Sequence, residues 1–373
     1  MKCYIIYHHL YDYNGEYKIV GGIESYLLSL GQVMKYYNLS PVIVQRSISD
    51  FTKDENGIEI RGYSMPEKKC YKKLYQKIEK ELSDEDILIW GLDRNAVKVK
   101  HERTISIQHG IPFDYYPEEK KVRKRMLELG LGTAFKTIQR YMARKCFERS
   151  KYKVCVDYNF WNWYRTFCLP IDEKNIFVIP NFTEIGDPRV KSRESGKIRI
   201  VFARRFVRMR GIEVFIDVMK HYGDNNNISF TCAGEGPYLK KIEELASKQG
   251  NIEITKYEPA ESLDFHTQFD IAVVPTIASE GTSLSLLEAM AAGNAVIATC
   301  VGGMTNIILD GYNGLFVRPG SADDIINAID KLVNDSEYLN YLAKNAYSTA
   351  KASFSFDKWR ERWGDVIKMV SSK

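Results

Sequence analysis

The sequence predicts an α/β protein built from two doubly wound, Rossmann-like units in tandem, and three observations carry that prediction. The chain has 373 residues, which at about 150 residues per domain leaves room for two. Short β-branched and aromatic runs alternate with longer stretches of helical period, the pattern of parallel sheets wrapped by helices. The alternation pauses at a polar stretch, Thr183 to Lys197 with Gly186, Pro188 and Gly196, and then restarts. A linker composition there sets the expected boundary, with domains 1–183 and 184–355.

In the first unit, Cys3 to Tyr7, Pro41 to Val44, Ile87 to Trp90, Thr104 to Gln108 and Lys153 to Val156 are short apolar runs read as strands. An apolar helix is expected from Gly22 to about Tyr36. In the second unit the strands are Ile198 to Ala203, Ile228 to Cys232, Ile252 to Thr255, Ile271 to Val274, Ala295 to Ala298 and Leu315 to Val317. Helices near 211–221, 237–249, 282–292 and 321–333 separate them. In open α/β sheets ligands collect outside the carboxyl ends of the strands, so chemistry is expected there and in a cleft between the units.

Composition narrows the class. Apolar residues are 45%, charged residues 27% and aromatics 12%, which excludes disordered, collagen-like and coiled-coil chains. The most apolar long stretch, Leu284 to Met304, is broken by Glu288, Asn294 and three glycines, so it falls short of the roughly 20 apolar residues a membrane span needs. Met1-Lys2 leads directly into a strand rather than a secretory leader, and a cytoplasmic chain is expected. Seven cysteines without a Cys-x-x-Cys pair indicate neither a disulfide framework nor a zinc site. The net charge of +5 is unevenly placed, with +7 on residues 1–183 and −2 on 184–373.

The residues fitted for chemistry cluster after strands. Glu280 and Glu288 flank the start of a helix, where Gly281 allows a tight turn and the free amides of Thr282 and Ser283 favour an anion. Arg204-Arg205-Phe-Val-Arg208-Met-Arg210-Gly211 follows the first strand of the second unit, and guanidinium groups at that density suit a diphosphate. Gly234 and Gly236 follow the next strand and let backbone approach a ligand. Tyr257, after the strand ending at Thr255, is placed where a base could stack. In the first unit, Gly21-Gly22 opens a helix and offers further free amides. His109 ends a strand, where an imidazole serves either packing or a hydrogen bond to substrate. His8 and His9 raise the same question, and the reading goes against a role for them.

These pieces, in this order, together with Val178-Ile-Pro-Asn181, Gly302-Gly303, Gly311-Tyr-Asn-Gly-Leu-Phe-Val-Arg-Pro319 and Phe354-Ser-Phe-Asp-Lys-Trp359, resemble glycosyltransferase family 4, the retaining GT-B enzymes. The resemblance covers the whole chain. It implies a sugar moved from a nucleotide-diphosphate sugar, the donor substrate, with no other cofactor. It implies that Arg205 and Arg210 bind the donor diphosphate, Glu288 the ribose, Glu280 and the 281–283 amides the sugar, and Gly22 the phosphate. His109 is implied to touch the sugar near the reacting carbon, and a final helix at about 356–373 to cross back onto the first domain. Three features depart from the family pattern. Arg210 stands where Lys is usual, Thr282-Ser283 replaces Phe-Gly, and Asn306 replaces a frequent Glu, which leaves the donor's identity open.

No metal is expected. Asp84-Glu85-Asp86 matches a metal-binding pattern of other glycosyltransferases, but it precedes a strand and so lies at the opposite edge from the cleft. The stretch 118–150 is basic and amphipathic. It reads either as core-facing apolar residues with a solvated charged face or as a surface helix lying against anionic headgroups, and the latter suits a lipid-linked acceptor and peripheral contact with the inner face of the cell membrane. Two other functions fit parts of the pattern: a sugar-nucleotide epimerase of the same fold, and a basic nucleic-acid-binding protein. The second leaves the cleft residues without a purpose, so no nucleic-acid partner is expected.

Overall fold

A computed structural model describes every residue except 20, 112, 114–120, 170–172, 187–195, 224, 279 and 373. Most of the polar stretch at 183–197 therefore lies outside the described residues. The chain divides into two compact units. The first comprises Met1–Phe113, Lys120–Pro180 and Arg360–Lys373, and the second includes Asn181–Trp359.

Unit 1 is built on an eight-stranded sheet. Its elements are β1 (Lys2–Ile6), α1 (Gly22–Tyr36), β2 (Ser40–Ser47), β3 (Phe51–Glu55), β4 (Ile58–Ser64), α2 (Cys70–Ile78), β5 (Ile87–Trp90), β6 (Thr104–Gln108), α3 (Lys121–Glu128), α4 (Gly132–Phe147), β7 (Tyr152–Cys155), α5 (Tyr158–Phe167) and β8 (Ile176–Val178). The strand order is β3-β4-β2-β1-β5-β6-β7-β8. All neighbours run parallel except β3 and β4. The central strands are covered on both faces, and every residue of β5 and β6 is buried, including the polar Thr104, Ser106 and Gln108 of β6.

The β3–β4 hairpin and β8 extend the sheet beyond the expected strands. Asn56 and Gly57, with φ of 52° and 78°, form the two-residue turn whose left-handed backbone matches the strand twist. The stretch at 118–150 departs from the core-facing reading. Among the described residues of α3 and α4 only Arg123, Ala143 and Phe147 are buried, while Val122, Leu127, Ile138, Tyr141 and Met142, and Leu131 between the helices, are exposed.

Unit 2 has six parallel strands and helices on both faces. Its elements are β9 (Ile198–Ala203), α6 (Ile212–Tyr222), β10 (Ile228–Ala233), α7 (Leu239–Ala246), β11 (Ile252–Thr255), α8 (Ser262–His266), β12 (Ile271–Val274), α9 (Leu284–Ala291), β13 (Ala295–Thr299), β14 (Leu315–Val317), α10 (Ala322–Asn334) and α11 (Ser336–Ser353). One core layer packs Phe202, Phe215 and Phe230 with Ile325 and Ile329. The other packs Val201, Ala272 and Val296 with Leu286, Leu287, Met290 and Ala346. The last helix, α12 (Phe356–Ser371), is shared: Phe356 and Trp359 pack on Phe182 in unit 2. Trp363, fully buried in unit 1, donates its indole N–H to the Tyr26 hydroxyl at 3.1 Å.

Candidate active site

The strand order of unit 2, β11-β10-β9-β12-β13-β14, is the 3-2-1-4-5-6 order of a dinucleotide-type sheet, in which the chain direction of build-up reverses between β9 and β12. Connections leave these two strands in opposite directions and open a crevice at their carboxyl ends. β9 runs into Arg204 and Arg205, and β12 into Thr276 and Glu280.

Two glycines hold the crevice closely packed. Gly211 caps α6 with φ 80°, and a Cβ there would overlap the Pro275 carbonyl oxygen. Gly302, with φ 54°, lies against the Glu280 backbone, and the neighbouring Gly303 N–H donates to the Glu280 carbonyl at 2.7 Å. No side chain with a Cβ fits at Gly211 or Gly302 without moving these segments.

Glu280 is the centre of the site. Arg204 Nη2 donates to both of its carboxylate oxygens, at 2.7 and 2.6 Å. Arg210 Nη1 pairs with Oε1 at 2.7 Å, and the Thr276 hydroxyl donates to Oε2 at 2.9 Å. Arg204 also donates to Thr276 Oγ1, whose own carbonyl accepts from Thr299 Oγ1 at 2.6 Å. The Arg204 and Glu280 side chains are 4% and 13% exposed, so this network replaces water for both charges. Burial alone would raise the Glu280 carboxyl, but the two guanidinium groups and Thr276 outweigh it and hold the pKa below its ordinary value. Burial pulls Arg204 below the usual guanidinium range, an effect that Glu280 offsets in part.

Glu280 is therefore ionised, and its roughly four lone-pair sites are engaged. Such a carboxylate orients partners by accepting hydrogen bonds. It is a poor proton acceptor.

Arg205 differs from its neighbours. Its side chain is exposed and forms no ion pair or hydrogen bond among the described residues. The α9 N-terminus follows Glu280 closely in sequence, with Ser283 in the capping position and no side-chain cap on the first-turn amides. Thr282 and Ser283 are buried, and the Thr282 carbonyl accepts from Asn181 Nδ2 at 3.0 Å. Gly281, half-buried, joins this turn to Glu280. Gly234, at the end of β10, backs against the Arg204 carbonyl.

Glu288 and Tyr257 form a second group. Burial raises the Glu288 carboxyl, moderated by a hydrogen bond from Ser262. Burial likewise raises the Tyr257 phenol, reinforced by the Glu288 charge. The Tyr257 ring is stacked on Phe265, with centroids 4.3 Å apart, which covers one of its faces.

In unit 1, Gly21 and Gly22 begin α1 without a side-chain cap, and the Glu24 carboxylate folds back over Gly21 while accepting from the Tyr7 hydroxyl at 2.7 Å. His109 ends β6 with Nε2 3.0 Å from the Gly91 carbonyl and its ring edge-on to Tyr26. Burial lowers its pKa to about 4, partly offset by that hydrogen bond. Because a carbonyl can only accept, Nε2 carries the proton and Nδ1 is left as an acceptor. His109 is thus a neutral ring, suited to a hydroxyl and not to a developing negative charge. Asp86 of the Asp84-Glu85-Asp86 run accepts from the Lys2 and Ser83 amides at 2.6 and 3.0 Å, at the amino edge of the sheet.

Arg204 and Thr276 are the members of the site that the sequence did not single out for a task. Thr276 lies two residues past the apolar run of β12 and one helical turn before Glu280, a spacing that offered the only advance signal.

Residues 186–349 match the family model described as "Glycosyl transferases group 1". An uncharacterized glycosyltransferase of Methanocaldococcus jannaschii is 33% identical over 161 residues, covering 42% of this chain and 44% of that protein. The lipopolysaccharide 1,2-N-acetylglucosaminetransferase of Salmonella typhimurium is 28% identical over 182 residues, covering 45% and 48%. The chain thus matches about half the length of these relatives. Over the whole chain, the structure of Anabaena HepE in complex with UDP-glucose aligns with a TM-score of 0.72 at 15% identity, covering 100% of each. That likeness shows the GT-B fold for both units.

Proposed function

We propose that this chain, whose second unit carries the glycosyl transferases group 1 domain, is a retaining, metal-independent glycosyltransferase. It transfers a hexose-type sugar from a nucleotide-diphosphate sugar to an acceptor, a membrane lipid-linked glycan in cell-surface polysaccharide synthesis. The observation that carries this reading is the charge arrangement at the β9–β12 crevice. Arg204 and Arg210 pair with one carboxylate, Glu280, and Arg205 adds its charge beside Arg204, leaving two positive charges in excess. A pyrophosphate diester carries two negative charges, and guanidinium groups bind it through short, charge-assisted hydrogen bonds.

Each side chain then has a task. Arg205, without a partner among the described residues, meets the diphosphate first. Arg210 is drawn from Glu280 onto the same group, and this frees a Glu280 lone pair for a sugar hydroxyl. The amides at Gly281, Thr282 and Ser283 add dipole stabilisation at the α9 N-terminus, and Gly234 lets backbone approach the ligand. As the anomeric carbon gains oxocarbenium character, the leaving diphosphate gains charge, and guanidinium donors already in place once the donor is bound stabilise it without further reorganisation. Glu288 accepts from the ribose, and the free face of Tyr257 lies against the base. From unit 1, Gly21 and Gly22 serve the phosphate and His109 Nδ1 accepts from the sugar. A sugar-nucleotide epimerase would rearrange the donor without any acceptor, which product analysis distinguishes.

The acceptor side is read from α3 and α4. Exposed Leu127, Leu131, Ile138 and Met142 are interleaved with exposed Lys121, Lys124, Arg125, Lys136 and Lys145, a combination that suits an anionic bilayer surface. No described helix is long and apolar enough to cross a membrane, and the basic, apolar face of α3 and α4 supports the reading of peripheral contact at the cytoplasmic face. The lipopolysaccharide enzyme among its relatives supports a surface-glycan product.

Removing one donor to developing charge costs about 3–4 kcal/mol of transition-state stabilisation, on the order of a hundredfold or more in rate. Arg205→Ala is therefore expected to lower turnover of the donor at least a hundredfold with the fold intact. Turnover within a few fold of the parent would refute the assignment.

A further inference from the structure

In unit 1 the strand order reverses between β1 and β5, and residues at the carboxyl ends of β1, β2 and β5 build a basic corner. The loop after β1 is held rigid by Gln45, fully buried, whose side-chain oxygen accepts from the Leu10 and Tyr11 amides at 2.7 and 2.8 Å. Its amide nitrogen donates to the Tyr11 carbonyl at 3.0 Å. This loop presents His8 and His9. His8 is neutral and fully engaged, with Nε2 2.8 Å from the Tyr13 hydroxyl and Nδ1 3.0 Å from the Tyr71 hydroxyl. His9 stands edge-on to it, and its buried Nδ1 has no partner among the described residues.

Arg46, at the end of β2, lies over the Tyr13 ring with its guanidinium carbon 4.2 Å from the centroid. Its guanidinium makes no ion pair or hydrogen bond among the described residues, and its Nε is buried. Arg94, in the turn after β5, is exposed, and its charge reaches His8 and Tyr71. Glu67 is the carboxylate whose field reaches the same groups. Burying polar groups without partners is costly, and here a buried imidazole nitrogen and a buried guanidinium N–H both lie beside the Tyr13 ring, with the Arg46 and Arg94 guanidinium groups and the Glu67 carboxylate as the charges that reach His8.

We propose that this corner, formed by His9, Arg46 and Arg94 with His8 and Tyr13 as its braced wall, is a binding site for an oxyanion carried by the acceptor. Its place in catalysis rests on the glycosyltransferase reading, with the acceptor on unit 1, but the binding itself does not. Arg46 provides a charge-assisted donor pair held flat by Tyr13, His9 provides the ring nitrogen, and Arg94 closes the solvent side. A phosphate monoester and a carboxylate share this chemistry.

The test uses the full chain labelled with ¹⁵N at its six histidines, titrated separately with glycerol phosphate and with glucuronate. His9→Phe assigns the His9 signal. The expected result is a saturable shift of the His9 ring resonances with one of the two probes, and which probe acts identifies the anion. Arg46→Gln is expected to weaken that titration at least tenfold and Arg46→Lys to restore part of it. Arg94→Gln, at an exposed position, gives a second reading that does not threaten the fold. Arg205→Ala should leave the His9 response unchanged.

No His9 shift with either probe would overturn the proposal, as would an unaltered titration in both Arg46→Gln and Arg94→Gln. A His9 response in a protein that binds no nucleoside diphosphate would leave this site standing and remove the glycosyltransferase reading instead.

Discussion

Replacing Arg204 with Met removes the guanidinium but keeps an apolar stem of similar length, and the network around Glu280 sets the consequence. Two of the carboxylate's four hydrogen bonds come from Arg204, while Arg210 and Thr276 each supply one. Removing one partner of a buried pair costs about 3–5 kcal/mol because a charge is left uncompensated. The partners that remain place Arg204→Met near the lower end, about 3 kcal/mol at pH 7. The sign of the pH dependence also changes. In the parent, Glu280 titrates below its ordinary value, so its stabilising contribution is present above the unfolded pKa and fades as pH falls through the folded one. In Arg204→Met burial raises the folded pKa above the unfolded one, and protonation relieves the buried charge. The deficit should then shrink between pH 7 and pH 5. Urea unfolding of both proteins at the two pH values, followed by circular dichroism, measures it. A deficit below 1 kcal/mol at pH 7, or one that does not narrow at pH 5, would refute the reasoning.

His109, with a folded pKa of about 4 against an ordinary 6.5, should show a neutral Nε2–H ring by ¹⁵N NMR from pH 8 down to pH 5. Because the unfolded chain takes up a proton below 6.5 that the folded one does not, this residue makes stability fall as pH drops from 6.5 towards 4. His109→Phe should flatten that slope, and a titration midpoint near 6.5 in the parent would contradict the burial argument. The exposed face of α3 and α4 should sediment the protein with vesicles rich in phosphatidylglycerol and not with neutral ones, each basic side chain adding about 1 kcal/mol at low salt. Release is expected at high ionic strength and in Leu127→Ser combined with Ile138→Ser. Binding indifferent to lipid charge and to salt would remove the membrane assignment.

Much of this architecture was legible because parallel strands buried on both faces announce themselves as unbroken apolar runs. The four residues of β5 and the six of β9 occupy their expected positions. The β3–β4 hairpin was not foreseen, since Phe51-Thr-Lys-Asp-Glu is largely polar at the sheet edge, although Asn56-Gly57 marked its turn. For α3 and α4 the periodicity was visible, but which face meets solvent depends on what else covers the sheet.

The candidate site divides in the same way. Arg205, Arg210 and Glu280 drew attention through residue type and position after a strand, and the family resemblance implied their separate roles. The lock between Arg204 and Glu280 joins residues 76 apart through the pairing of β9 with β12, and no local pattern reports it. Tyr257 shows the converse: its position after β11 was legible, while its stacking on Phe265 depends on where α8 folds.

The central claim is that the guanidinium groups at the β9–β12 crevice hold the donor's pyrophosphate without help from a metal ion. Isothermal titration of the full chain with a panel of nucleoside diphosphates in excess EDTA tests this most directly. One nucleotide should bind saturably, and Arg205→Ala and Arg210→Ala should each weaken it at least tenfold. Binding that requires an added divalent cation, or that both substitutions leave untouched, would contradict the account.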